Sequence, residues 1–99
     1  MKIFGIEITK EEAKNIAERH FRSMSPFVLG TYPSKLKKKA AVLFVLKDAF
    51  EDERTYTEKQ VNEILKAIYA DYVTLRRGLY DAGILDRKPD GSQYWLRKE

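Results

Sequence analysis

The chain contains no cysteine, so it has no disulfide framework, no thiolate nucleophile and no thiolate metal site. That fits a reducing compartment. Histidine is nearly as scarce: His20 stands alone, without the second imidazole a metal centre would need, and is expected to be a partly buried structural residue. Long apolar runs are missing too. The longest, Ala40 to Leu46, falls far short of the ~20 residues that span a bilayer, and the N-terminal MKIFGIEI is too short for the apolar stretch of a signal peptide. The expectation is a cytoplasmic chain with no membrane contact. There is no P-loop pattern, nucleophile elbow or H-E-x-x-H, and every acidic residue sits within a turn of a lysine or arginine or at a helix cap. Neither an enzyme nor a cofactor is expected.

A large excess of one charge is likewise absent. The net charge is +4, and lysine plus arginine against aspartate plus glutamate run 5 to 4 over residues 1–33, 6 to 4 over 34–56 and 8 to 7 over 57–99. Binding to a polyanion therefore requires that folding gather cations onto one face.

The chain's 99 residues are enough for one globular unit. Phe4, Ile6 and Ile8 alternate with Gly5 and Glu7, the period of a strand or extended arm. Thr9 with Glu12 forms a capping box, so a helix is expected from Lys10 to about Met24. A linker with Pro26, Gly30 and Pro33 follows, and the division expected is 1–33 as arm, helix and linker packing on the core and 34–99 as the main domain. Ser34 can cap a helix from Lys35 to Phe50 whose middle, AAVLFVL, is apolar nearly all round. Such a helix is covered by the N-terminal arm and first helix or is shared in a homodimer. Its start carries Lys35, Lys37, Lys38 and Lys39, where the helix dipole disfavours cations, and that placement hints at phosphate contact.

Thr55-Tyr56 reads as a very short strand. Thr57 with Gln60 is a second capping box, Tyr56 with Val61 a hydrophobic staple, and Val61, Ile64, Leu65 and Ile68 the buried stripe of the helix that follows. Asp71 is placed to cap the next helix, 73–82, in which Leu75, Leu79 and Ala82 share one face and Thr74, Arg76, Arg77 and Tyr80 fall elsewhere. Gly83 suits a left-handed helix end, and Asp90-Gly91 turns a hairpin in which Leu85 faces Leu96, Asp86 faces Trp95 and Arg87 faces Tyr94. Trp95, on the face opposite Leu96, is expected to pack beneath the N-terminal segment or to serve an interface. The fold expected is mainly α with a small β-hairpin: a winged helix-turn-helix preceded by an extra N-terminal strand or arm and helix.

The strings YPSKLKKKAAVLF, RTYTEKQVNEIL and TLRRGLYDAGILDRKPDGSQYW resemble a bacterial domain family of unassigned function, found alone or behind ArsR-type helix-turn-helix regulators. The resemblance spans about Phe27 to Arg97 and implies a winged-helix-like domain in a transcriptional setting. The family more often has a larger residue where this chain has Gly78. The function expected is double-stranded DNA binding by a transcriptional regulator through helix 73–82 and the hairpin wing 84–96. Arg76 and Arg77 would approach guanine edges or phosphates and Thr74 and Tyr80 the backbone, while Arg87, Lys88, Lys35, Lys37, Lys38 and Lys39 grip flanking phosphates. The alternative is a winged helix used for protein interaction or dimerisation without DNA.

Overall fold

The computed structural model describes residues 1–98. Among them are four α-helices and three two-stranded antiparallel pairs, a mixed α/β arrangement with more β structure than the single hairpin expected. The chain opens with β1 (Lys2–Ile3) and β2 (Ile6–Glu7), turned at Phe4-Gly5, where both residues have positive φ. The expected alternation holds: Phe4 and Ile6 are half-buried and Ile8 is buried, while Gly5 and Glu7 are exposed, and the turn adds Ile3 to the buried set.

Thr9 and Glu12 cap α1 (Lys10–Ala17) reciprocally. The helix does not continue to Met24. After one 3-10 turn, Glu18–His20, the chain becomes extended as β3 (Phe21–Met24), turns at Ser25-Pro26, which is cis, and returns as β4 (Phe27–Leu29). The cause lies in packing: the rings of Phe21 and Phe27 meet at 5.7 Å, Gly30 and Thr31 both donate to the His20 carbonyl, and the Leu29 amide donates to the Ile68 carbonyl. A helical Phe21 would forgo its partner. PFVLGTYP is thus half strand rather than linker.

Next comes α2 (Leu36–Leu46), one residue later than expected; Lys35 holds the cap position, Ser34 makes no capping bond, and a 3-10 turn at Lys47–Ala49 replaces the last α-turn. Ala40, Ala41, Val42, Leu43, Val45 and Leu46 are all buried, with α1 lying along this helix. The small buried residues Ala13 and Ala17 let the two helices approach closely. Covering from within the chain removes the reason for expecting a homodimer on this face.

A capping box of Thr57 and Gln60 starts α3 (Glu58–Lys66), and Asp71 caps α4 (Tyr72–Asp81) by accepting from the Thr74 amide. The two helices pack together across a short turn. Gly83 ends α4 in the left-handed region, and β5 (Leu85–Arg87) pairs with β6 (Tyr94–Leu96) in the register expected. Tyr56 bridges to Tyr94 through two backbone hydrogen bonds of 2.8 Å, adding a one-residue third strand. One cluster of buried side chains runs from Ile3 to Leu96 and joins β1, β4, the four helices and the last hairpin, with Phe21 and Met24 of β3 packed against it. Trp95 is half-buried and lines a cleft with Lys47, Arg54 and Arg97. Among the described residues no helix is long and apolar enough to cross a membrane.

Candidate nucleic-acid interface

Helical geometry, at about 100° per residue, sorts the side chains of α4 before any contact is considered. Leu75, Gly78 and Leu79 are buried against the core, and the line opposite them is Val73, Arg77 and Tyr80, all exposed. Thr74 and Arg76 fall on the two flanks. Both are occupied. The Thr74 hydroxyl donates to Asp71 at 2.6 Å and its amide to the same carboxylate at 3.3 Å, so this side chain belongs to the helix cap.

Arg76 is engaged more deeply. Its guanidinium donates to the Asn62 side-chain oxygen and lies 3.7 Å from Glu58, and its side chain keeps 20% of its exposure. Tyr94 of β6 donates to the same Glu58 oxygen at 2.9 Å. The group Asn62, Glu58, Arg76 and Tyr94 therefore ties α3, α4 and the hairpin into one unit. Burial, and after it the bond to Glu58, holds the Tyr94 phenol above its ordinary pKa, so it remains the donor. Arg76 does not stand outward beside Arg77, nor does it pair with Asp81.

Arg77 differs. Among the described residues it makes no ion pair, side-chain hydrogen bond or cation–π contact. Arg87 of β5 stacks over the Tyr80 ring at 4.8 Å, which carries a hairpin cation onto the outward line of α4. Lys88 is exposed at the hairpin, with no ion pair among the described residues. At the tip Pro89, Asp90 and Ser92 are exposed, while a Cβ placed at Gly91 would lie 3.7 Å from both Arg87 and Glu58. Glu58, Arg76, Arg77, Tyr80, Asp81, Arg87 and Tyr94 line a cleft of about 450 Å³ between α4 and the hairpin, with three cations against two carboxylates.

The lysine cluster is not a single patch. Lys37 reaches α1, 3.9 Å from Glu12, and Lys39 sits 5.7 Å over the Tyr32 ring, whereas Lys35 and Lys38 are exposed with no ion pair among the described residues. Tyr32 links this region to the far flank of α4, because its hydroxyl lies 2.5 Å from where a Cβ on Gly78 would stand. Burial, with Asp81 adding to it, pushes the Tyr32 phenol up to about 12. Among the described residues no three His, Asp or Glu side chains gather so as to hold a metal ion.

Sequence reasoning missed Glu58, Asn62 and Tyr94, which decide what Arg76 can do, and Val73, which shares the exposed line with Arg77. One signal was available: residues 58 and 62 lie one turn apart, beside the Val61 and Leu65 stripe, where they can face a neighbouring helix.

Neither a curated protein nor a solved structure was found to match the chain. A family model does match, over residues 28–96, which takes in the last two residues of β4, all of α2, α3 and α4, and the last hairpin. The segment before residue 28, with its first strand pair and α1, lies outside that match. The chain belongs to the family described as "uncharacterized protein conserved in bacteria" (DUF2087).

Proposed function

We propose that this chain is a winged-helix protein that binds double-stranded DNA and acts in transcriptional regulation within the bacterial cytoplasm, the setting implied by its resemblance to domains fused behind ArsR-type regulators. On this reading α2, α3 and α4 form the three-helix unit, Tyr56 with β5 and β6 the wing sheet, and α4 the helix that enters the major groove. One observation carries it: among the described residues Arg77 stands unpartnered on the outward line of α4, beside a hairpin cation, Arg87, held against that same line by Tyr80. Arg77 is then the base- or phosphate-contacting residue, Arg87 and Lys88 are backbone contacts, and Arg76 positions the helix without touching DNA. The lysines at the start of α2 contribute at most through Lys35 and Lys38.

A protein partner is the second reading, favoured by the apolar Val73 and Tyr80 that flank Arg77, each 38% exposed. Fluorescence anisotropy with a random duplex separates the two. DNA binding predicts affinity that falls steeply with salt, and Lys88→Ala should reduce the logarithmic salt slope by about 1, the share of one phosphate contact. Absence of binding at low salt would move the assignment to a protein partner.

A further inference from the structure

Resting on the DNA-binding reading, we infer that Val73 is a specificity-determining residue: α4 selects a thymine, by its methyl group, about two base pairs from the guanine approached by Arg77. A recognition helix meets base edges with its N-terminal residues, so the first two turns of α4 decide the matter. Thr74 is spent on Asp71, Arg76 on Glu58 and Asn62, and one face of Tyr80 lies under Arg87. Of the side chains near the outward line, that leaves Val73 and Arg77 free to touch a ligand. A lone exposed valine is ordinary. Here it is aligned, about 40° in azimuth and about 6 Å along the axis from an arginine that has no partner among the described residues.

Each side chain then has a chemical match in the major groove. The guanidinium fork fits the O6 and N7 acceptors of guanine, and the C5 methyl of thymine is the apolar group that the groove offers to valine methyls. Base pairs rise about 3.4 Å, so an axial separation of about 6 Å spans roughly two steps. Val73 carries no hydrogen-bonding group, so it discriminates only by that methyl. Being exposed, it can be altered without disturbing the core.

The test begins with in vitro selection of duplexes from a random library by the whole chain, followed by replacement of each thymine in the selected site with deoxyuridine, which removes only the methyl. At one position, two steps from a G·C pair, deoxyuridine should weaken binding about 4-fold, the effect of one buried methyl. Val73→Ala, with a smaller apolar surface, should narrow the difference between the thymine and deoxyuridine duplexes, whereas Arg77→Ala should keep the full deoxyuridine penalty while losing preference at the G·C pair. Equal affinity of the native chain for both duplexes at every position overturns the role of Val73, as does selection that enriches no sequence. In either case salt-dependent binding would survive and the DNA-binding reading would stand. If no duplex is bound even at low salt, both fall together.

Discussion

Replacing Gly78 with alanine should destabilise the protein, although alanine is the better helix former. On propensity alone the change in α4 favours the fold by up to about 1 kcal/mol. The surroundings oppose it. The new Cβ would stand 2.5 Å from the Tyr32 hydroxyl and 3.2 and 3.3 Å from the two Leu43 methyl carbons. Leu43 is fully buried in α2 and has nowhere to retreat, while Tyr32 is half-buried beneath Lys39 and would have to swing away. Overpacking of this kind costs about 1 to 3 kcal/mol, so the net expectation is a loss of about 1 kcal/mol, or roughly 4 to 8 °C in Tm for a domain of this size. Thermal unfolding followed by circular dichroism measures it. In a Tyr32→Phe background the closest contact is gone, and the same substitution should cost about 1 kcal/mol less, a coupling that a double-mutant cycle resolves. A rise in Tm for Gly78→Ala in the parent chain would refute the close approach of Tyr32 and α4.

Tyr32 also makes stability pH-dependent at the alkaline end. Its folded pKa of about 12 lies above the ordinary 10.0, so the folded state keeps a proton that the unfolded chain releases. The associated stability is complete below pH ~10 and is lost as pH rises towards ~12. Urea midpoints across this range should fall less steeply for Tyr32→Phe, with the slope that remains traceable in part to Tyr94; identical slopes would show that Tyr32 is not held protonated. At the start of α3, Thr57→Ala removes the acceptor for the Gln60 amide, 3.1 Å away, and should cost about 1 kcal/mol in the same assay. Thr57→Ser should restore most of it. A cost below a few tenths would mean that water replaces the cap.

What could be read in advance was local. Both capping boxes, the Asp71 cap, the left-handed end at Gly83 and the register from Leu85 opposite Leu96 to Arg87 opposite Tyr94 depend on residues a few positions apart or on one turn. The strand pair at 21–29 was hidden because Ala13, Ile16, Ala17 and Phe21 keep a helical spacing. What breaks it is the Phe21 to Phe27 ring contact and the bond from Leu29 to Ile68, and the second crosses a long stretch of chain. The candidate site was legible as a basic helix beside a hairpin. The unequal roles of Arg76 and Arg77 were not, because the Asn62 that engages Arg76 is fourteen residues earlier, on another helix. Gly78, which propensity counts only as a weakness, is explained by two side chains from other segments.

If Arg77 works on a ligand and Arg76 on the fold, duplex affinity and Tm measured side by side for Arg76→Ala and Arg77→Ala will separate the two. Arg77→Ala should lose about 1 to 3 kcal/mol of binding to a selected duplex with Tm unchanged. Arg76→Ala should lower Tm by several degrees as Glu58, Asn62 and Tyr94 lose their shared partner. Equal affinity of Arg77→Ala and the parent, with a fold intact by circular dichroism, would show that Arg77 does not touch the duplex.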